Sequence, residues 1–295
     1  MLPADSHVHS EWSWDAPGGS MERTCARAVE SGLPAVAFTE HVDFTAWVVL
    51  ADDLDEYAHL KPFVTPAGTP TGTPTGTPTG TPTGTLTPPR FDPGGYLECV
   101  RRCRDRFPSL RIITGVELGE PHWYGDEVAR LLDAGQFDRV LGSLHCLPVG
   151  RQFSEPPYLY RQRPAAEVIR EYLAEIPRLI RSSDAFGVLA HIDYPLRYWP
   201  AQAGPFDPNA FQEEFRHALR VLADSGRALE VNTRGPLHPE IVRWWRDEGG
   251  DAVTFGSDAH DPTGVAYRFA EATAMVEAQG FRPGRHPHDY WTRTG

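Results

Sequence analysis

Histidine and carboxylate side chains follow one short apolar run after another along this chain. Such runs precede the potential metal ligands His7, His9, Glu40, His41, Glu117, His145, His191, Asp258 and His260. A set rich in imidazole and carboxylate groups, without paired Cys-x-x-Cys ligands, is typical of catalytic divalent metals rather than of a structural zinc. The chemistry that such a site supports is the activation of water and the stabilisation of negative charge on a substrate.

The positions of these residues predict the kind of fold that must hold them. A protein that places polar ligands at the end of strand after strand builds one site from many elements, as barrels of alternating strands and helices do. An open, doubly wound sheet would instead concentrate its site at one switch point. The sequence contains no Gly-rich nucleotide loop. The pattern therefore favours a barrel with a metal site at the C-terminal ends of its strands.

Strand-like apolar runs alternate with amphipathic helical segments along most of the sequence. The predicted strands are 35–38, 111–117, 137–145, 185–191, 228–232 and 252–257. The predicted helices are 21–31, 94–107, 125–134, 164–183, 208–225, 239–248 and 265–278. Ser20 is the expected N-cap of the first helix, and Pro177 is expected to kink or interrupt the fourth. Runs without period-2 alternation indicate parallel strands that are covered by helices.

Length, charge and cysteine content limit the class of protein. The chain has 295 residues, 40% of them hydrophobic, which suits one barrel domain over residues 1–295. A net charge of −12 argues against a surface for long nucleic acids, which clustered Lys and Arg would hold. The four cysteines are too few for a disulfide framework and are expected to be small buried residues. The absence of a signal-peptide pattern or a long apolar run predicts a cytoplasmic protein without a membrane partner.

One segment, residues 65–89, departs from the alternating pattern. It contains Thr-Pro-Thr-Gly repeated from Thr69 to Gly84. Pro and Gly at this density support neither a helix nor a strand ladder, so we predict a disordered loop. A mobile lid or a docking tether is the alternative. The flanking segments 44–60 and 91–96 are the better candidates for a lid.

Taken in order, the motifs that carry the potential ligands resemble those of a known family. They are His7-Val8-His9, Asp15, Thr39-Glu40-His41, Glu117, Leu144-His145-Cys146, His191-Ile192-Asp193 and Ser257-Asp258-Ala259-His260. This order resembles the PHP (polymerase and histidinol phosphatase) family, and within it the histidinol-phosphate phosphatases. The resemblance extends from Ala4 to about Phe269. It implies a distorted (β/α)7 barrel and up to three divalent metal ions, which a His-rich ligand set suits best as Zn²⁺, Mn²⁺ or Fe²⁺.

The resemblance also implies how the ligands divide among the ions. The first ion would be held by His7, His9, Glu117 and Asp258. The second would be held by Glu117, His145 and His191, with Glu117 as the bridge. The third would be held by Asp15, His41 and His260. Glu40 stands where many relatives have Asp, and it is expected to have a supporting role. Because residues two apart in a strand point the same way, His7 and His9 can share one ion.

Arginine is the residue expected to bind a phosphate, since its planar fork matches phosphate oxygens. Arg197 and Arg234 stand where the histidinol-phosphatase branch carries basic residues. A metal-activated water is expected to attack phosphorus, and Asp193 or His260 is the candidate catalytic group for the leaving alkoxide. Trp12 and Trp14 could form the wall of the pocket. The remaining histidines are expected on the surface or in packing, with His238 left open: His59, His122, His217, His286 and His288.

The function that these observations favour is the hydrolysis of a small phosphomonoester, with L-histidinol phosphate as the single best candidate. Two alternatives remain: a PHP-type phosphodiesterase or exonuclease that acts on nucleotides or short oligonucleotides, and a scaffold without activity. The alcohol part of the substrate is expected to contact the segments 44–60 and 150–163, which carry no diagnostic motif.

Overall fold

The computed structural model describes residues 2–50, 58–66 and 84–294. Its α-helices are α1 Met21–Glu30, α2 Pro93–Arg106, α3 Gly125–Ala134, α4 Pro156–Gln162, α5 Ala165–Ser182, α6 Gln212–Asp224, α7 Pro239–Asp247 and α8 Phe269–Ala278. Short 3-10 helices span Ala58–Phe63, Tyr194–Tyr198, Ala201–Ala203, Pro208–Phe211 and Pro262–Gly264. The predicted cap of α1 is present, since the side chain of Ser20 accepts the N–H of Arg23.

The strands group into one large sheet and two small ones. In chain order they are β1 Asp5–Val8, β2 Ala35–Asp43, β3 Trp47–Val49, β4 Val64–Pro66, β5 Gly84–Leu86, β6 Arg111–Gly119, β7 Arg139–Ser143, β8 Leu147–Val149, β9 Gln152–Ser154, β10 Val188–Leu189, β11 Ala228–Asn232, β12 Ala252–Gly256, β13 Phe281–Arg282 and β14 Trp291–Arg293. The large sheet has nine strands in the order β1-β2-β6-β7-β10-β11-β12-β14-β13. The first seven are parallel neighbours, and the last two are antiparallel.

The two outermost parallel strands, β1 and β12, also meet at one edge of the sheet. Val8 forms a parallel bridge with Ala259, just beyond the end of β12. The N–H of Asp258 donates to the carbonyl of His7 at 2.8 Å, and the N–H of His9 donates to the carbonyl of Ala259 at 2.9 Å. These bonds curl the sheet back towards its own start, at the edge that carries the candidate ligands.

Asp5 joins the same two parts of the chain through its side chain. Its buried carboxylate accepts the N–H of Ser257 at 2.9 Å and the N–H of Ala266 at 3.0 Å. Burial raises the pKa of Asp5 to about 6, although its hydrogen bonds with Ser257 and Ala266 oppose the rise. The carboxylate therefore supplies acceptors for backbone groups that lie outside the strand ladder.

The two small sheets form what we term the cap, defined as β3, β4, β5, β8 and β9. Strand β5 pairs antiparallel with both β3 and β4, and β8 pairs with β9 in a hairpin. The two parts touch where the hydroxyl of Ser154 donates to the carbonyl of Val48 at 3.3 Å. Trp47 and Leu60 place this part of the chain against the cavity that holds the candidate ligands.

The prediction of a disordered loop over 65–89 is wrong at both ends of the segment, where the short strands β4 and β5 lie. Val64 pairs with Leu86, and Leu86 is fully buried against Trp47 and Val49. This apolar contact gives the short strands a packed face, which the Thr-Pro-Thr-Gly pattern alone does not reveal. The repeat itself falls almost entirely within 67–83, outside the described residues. Of the lid candidate 44–60, residues 51–57 are likewise outside them.

Two strands are shorter than predicted because their ligand-bearing ends leave the ladder. Strand β7 stops at Ser143, and the N–H of His145 donates to the Glu120 carboxylate at 2.6 Å. Strand β10 is only Val188–Leu189, and the N–H of His191 donates to the Glu230 carboxylate at 2.8 Å. The backbone N–H groups of these two histidines thus donate to acidic side chains instead of to a neighbouring strand.

Two helices differ from their predicted extents, and a third lacks the predicted interruption. The helix predicted over 265–278 begins only at Phe269, since Ala266 and Arg268 have φ of 57° and 55°. The segment 208–225 divides into a 3-10 turn and α6. Pro177 does not interrupt α5, which continues on both sides because its apolar face is buried in the core.

The main core lies between the large sheet and the helices around it. The four cysteines are buried and free, as predicted: Cys25, Cys99, Cys103 and Cys146. Within the described residues, none of the helices combines the length and apolarity that crossing a membrane would require.

Candidate metal centre

Glu117, on the fully buried part of β6, lies at the centre of a cluster of imidazole rings. Its Oε1 is 2.7 Å from Nε2 of His191 and 3.2 Å from Nε2 of His145. Its Oε2 is 2.9 Å from Nε2 of His7 and 3.3 Å from Nε2 of His9. The two oxygens therefore face two different pairs of histidines, which is the arrangement expected of a bridging carboxylate.

Asp258 approaches the same cluster from the end of β12. Its Oδ1 is 3.2 Å from Nε2 of His9 and 3.8 Å from Nε2 of His7. Asp258 has a φ of 53°, in the left-handed region that Asp tolerates better than most residues. Nδ1 of His260 lies 3.5 Å from Oδ1 of Asp258, so the two residues remain close on either side of this turn.

His260 and His41 both face Asp15, which precedes α1. Oδ2 of Asp15 is 3.1 Å from Nε2 of His260 and 3.4 Å from Nε2 of His41. The ring of His41 stacks on that of His9, with 4.3 Å between the centroids. The structure thus joins all the predicted ligands in one network of contacts. Their division among three ions stays a prediction.

The spacing of the ligand atoms fits shared metal ions. Two donors bound at about 2.0–2.2 Å to one tetrahedral ion lie roughly 3.3 Å apart. Nε2 of His7 and Nε2 of His9 are 3.0 Å apart. Among the described residues, four groups place one ligand atom each within 4.8 Å of the others: His9, His41 and His260; His7, Glu117 and His191; His7, His9 and Asp258; His41, Asp43 and His145. In the part of the chain that the structure describes, the buried Oδ1 of Asp15 and the buried Nδ1 of His191 have no hydrogen-bond partner.

Buried carboxylates dominate the electrostatics of the cluster. Burial alone would lower the pKa of His7, but the charges of Glu230 and Glu117 raise it well above its usual value. Burial and the neighbouring His41 together lower the pKa of His9 to about 4. The negative field at His7 favours any cation, whether a proton or a divalent metal, so the two must compete for this position.

Glu40 has the position of a supporting residue. Its Oε2 accepts the N–H of Ser10 at 2.9 Å and the hydroxyl of Ser13 at 2.6 Å. The hydroxyl oxygen of Ser13 also lies 2.9 Å from Nδ1 of His9 and accepts the N–H of His41 at 3.0 Å. Burial raises the pKa of Glu40 to about 7. Through Ser13, this carboxyl supports the ring of His9 and the backbone of His41.

A cavity of about 220 Å³ opens onto the cluster. Arg197 and Arg234 are among the residues that line it. Nη2 of Arg197 donates to Oδ2 of Asp258 at 2.5 Å. Nη1 of Arg234 is 3.7 Å from Oδ1 of Asp258 and 2.8 Å from Nδ1 of His260. Both arginines therefore lie directly beside the candidate ligands, and their role in phosphate binding stays a prediction.

The structure does not bring Asp193 into this cavity. Asp193 is buried at the start of the 3-10 helix that follows His191 and is absent from the cavity lining. Burial raises its pKa to about 7, against the opposing charge of Arg197. His260, the other predicted catalytic residue, does line the cavity.

Glu230 is a site residue that the sequence reasoning missed. Its Oε1 is 2.6 Å from Nδ1 of His7, and its Oε2 accepts the N–H of His191. A carboxylate on the far nitrogen of a metal-binding histidine fixes its tautomer and ring orientation. The available signal was an acidic residue inside the apolar strand Ala228–Asn232.

Asp43 and Glu120 were missed as well. Oδ1 of Asp43 is 3.4 Å from Nδ1 of His145, and its Oδ2 is 3.5 Å from Nδ1 of His41. Glu120 accepts the backbone N–H groups of His145 and Cys146 and has a φ of 46°. Asp43 lies two residues after His41 in the same strand, and this spacing could have indicated that both side chains face the site. Glu120 lies in a turn after β6, and no sequence pattern predicts its position.

The tryptophans and the remaining histidines lie partly in the cavity and partly outside it. Trp14 lines the cavity and donates to Asp43 at 3.0 Å, whereas Trp12 packs against the main core. His59, expected on the surface or in packing, is exposed but also lines the cavity. His122 packs against Glu175, and His238 caps α7.

Comparisons with known proteins agree with this geometry. The family model described as the PHP domain matches residues 5–234. A protein of Deinococcus radiodurans named probable histidinol-phosphatase is 27% identical over 94% of this chain and 94% of its own length. The histidinol-phosphatase of Lactococcus lactis subsp. lactis is 24% identical over 95% of this chain and 93% of its own length.

Solved structures show the same fold. A histidinol phosphate phosphatase from Lactococcus lactis subsp. lactis, complexed with zinc, L-histidinol and phosphate, superposes with a TM-score of 0.74 at 22% identity and covers 95% of both chains. A second structure, of a protein from Listeria monocytogenes, superposes with a TM-score of 0.67 at 18% identity, over 91% of this chain and 99% of its own.

Replacement of Glu117 tests whether the cluster is a metal centre. Glu117→Ala removes the carboxylate that faces both pairs of histidines, so bound metal and activity should be lost together. Metal content is measured by elemental analysis after purification without chelator. Glu127→Ala, at a partly exposed position on α3 away from the cluster, is the control and should keep its metal. Full metal content in Glu117→Ala would contradict the bridging role.

Replacement of Glu230 tests its support of His7. Glu230→Gln removes the charge and the acceptor that hold the imidazole, and metal affinity should fall about 10–100-fold. The affinity is measured by competition with a chromophoric zinc chelator. Exposed Glu271→Gln on α8 provides the comparison. If the two variants bind zinc equally well, Glu230 does not orient a ligand.

Proposed function

Because this chain belongs to the PHP domain family, we propose that it is a metal-dependent phosphomonoester hydrolase that converts L-histidinol phosphate and water to L-histidinol and phosphate. The membership confirms the resemblance that the motifs predicted. The observation that carries the proposal is the cluster around Glu117, with Arg197 and Arg234 in the same cavity. Relatives that match this chain almost end to end bear the name histidinol-phosphatase, which supports the choice of substrate.

The donor set fits up to three divalent ions, with zinc, manganese or iron as the candidates. We assign the first to His7, His9, Glu117 and Asp258. The second is assigned to Glu117, His145 and His191. The third is assigned to Asp15, His41 and His260. When bound, such ions supply Lewis-acid chemistry, because they lower the pKa of water and offset the charge of phosphoryl oxygens.

The residues of the chain itself would bind and orient the ester. Arg197 has N–H groups beyond the one that contacts Asp258, and Arg234 is half exposed at the mouth of the cavity. Their positive charges can hold phosphoryl oxygens near the candidate ligands. Of the two candidates for protonating the leaving alkoxide, only His260 lines the cavity. His260 cannot hold an ion and donate a proton through the same nitrogen, so these two roles exclude each other at Nε2.

The family also implies a distorted (β/α)7 barrel for the large sheet. Its seven parallel strands and the bridge between Val8 and Ala259 support that description. In such a barrel the loops after the strands carry the site. A cytoplasmic location stays a prediction.

A comparison of substrates tests the proposed reaction. The metal-loaded protein should hydrolyse L-histidinol phosphate with a kcat/KM at least 100-fold above that for bis-p-nitrophenyl phosphate or a dinucleotide. Phosphate release is measured for the monoester and for the dinucleotide after phosphatase coupling. Removal of metal by a chelator should abolish the activity, and added Zn²⁺ or Mn²⁺ should restore it. A clear preference for a diester would instead favour the phosphodiesterase alternative.

Replacement of Arg234 tests phosphate binding. Arg234→Ala should raise KM for a phosphomonoester about 10-fold, because a charged hydrogen bond to phosphate contributes roughly 1.5–3 kcal/mol. Steady-state kinetics give KM and kcat separately. Exposed Arg243→Ala on α7 is the matched control. If Arg234→Ala changes neither constant, Arg234 is not part of the site.

A further inference from the structure

A second cavity adjoins the one that holds the candidate metal ligands. Its volume is about 340 Å³, and its walls include the aromatic side chains of Trp47, Tyr158, Tyr160 and Tyr198. Trp47 and Tyr198 line both cavities, so the two spaces lie side by side. A molecule with its phosphate at the metal ligands can extend its other end between these rings. Together the spaces suit a small metabolite, for which sites of roughly 300–1,000 Å³ are usual.

Glu155 lies at the junction and lines both cavities. Its Oε1 accepts the hydroxyl of Tyr194 at 2.9 Å. Within the described part of the chain, this is its one side-chain hydrogen bond, and no Lys or Arg pairs with it there. Burial raises the pKa of Glu155 to about 7, with Asp43 and Glu120 adding to the rise and His145 opposing it.

The charges along the two cavities are arranged with opposite signs at opposite ends. Arg197 and Arg234 lie at the end with the candidate metal ligands, and Glu155 lies where the aromatic cavity begins. Arg161 also lines the aromatic cavity, but its side chain is exposed, so solvent screens its charge more than that of the partly buried Glu155. A partly buried carboxylate beside aromatic faces attracts a cation, since both the charge and the rings favour it.

We propose that Glu155 selects the alcohol part of the substrate by pairing with a cationic nitrogen group, an ammonium or an imidazolium, while the carbon skeleton of the alcohol lies between the aromatic rings of the second cavity. The substrate class is then a phosphorylated amino alcohol that carries a positive charge opposite its phosphate. This inference rests on the proposed phosphomonoester hydrolysis and adds to it the residue that reads the alcohol. Part of the lining, including Trp47, Glu155 and Tyr158, falls in the segments 44–60 and 150–163, which were predicted to contact the alcohol.

The test compares a cationic ester with an uncharged one. Glu155→Gln keeps the size of the side chain and an acceptor for Tyr194, but it removes the charge. In the metal-loaded protein, kcat/KM is measured for L-histidinol phosphate and for p-nitrophenyl phosphate. We expect the ratio of the two values to fall at least 10-fold in Glu155→Gln, mainly through KM. Glu155→Asp, which keeps the charge, should retain part of the preference, and exposed Glu98→Gln on α2 should retain all of it.

A binding measurement makes the outcome independent of catalysis. Calorimetric titration with L-histidinol alone should give a Kd at least 10-fold weaker for Glu155→Gln than for the unmodified chain, both metal-loaded. An unchanged Kd, or equal losses of kcat/KM for both esters, would overturn the assignment of Glu155. Absence of monoester hydrolysis in the unmodified chain would overturn the proposed function alone, since the titration would still report on Glu155.

Discussion

The buried carboxylate of Glu117 is the constraint on which the rest of the site depends. A carboxylate with no exposure to water costs several kcal/mol unless partners surround it. Here the hydroxyl of Ser143 donates to Oε1, and four Nε2 atoms of histidine lie within 3.3 Å of its two oxygens. Each of those histidines must in turn be held in place. The supporting side chains of Glu230, Asp43 and Ser13 supply that second layer of contacts.

The gathering of the candidate ligands at one edge of the sheet follows directly from the sequence pattern. Apolar runs mark strands, and polar residues directly after them share one edge of a parallel sheet, so His145 and His191 could be found without knowledge of the fold. Asp193 is a different case, and its role in catalysis stays a prediction. That residue is two positions beyond His191, where the chain turns into a 3-10 helix and buries the side chain away from the cavity. A change of direction at the end of a strand depends on tertiary contacts that no local pattern records.

Glu230 and the cap illustrate two further limits. An acidic residue within an apolar strand is conspicuous, but only the fold reveals that Glu230 meets His7, which lies 223 positions earlier in the chain. The cap strands β4 and β5 are short and rich in Thr, Pro and Gly, and their stability comes from pairing and from the burial of Leu86 against Trp47. Strand formation in such segments depends on neighbours rather than on propensity. The sheet therefore positions the candidate ligands, whereas the cap lines the space beside them.

The contacts between β1 and the segment after β12 have a consequence for the order of events during synthesis. The N–H of Ser257 that binds the carboxylate of Asp5 is separated from it by 252 positions. Closing so long a loop has a large entropic cost, which makes such contacts late steps of folding. On the ribosome, His7 and His9 emerge first but wait for Asp258 until most of the chain has been made. The complete donor set of His7, His9 and Asp258 can therefore exist only after nearly the whole chain has been made and the sheet has assembled.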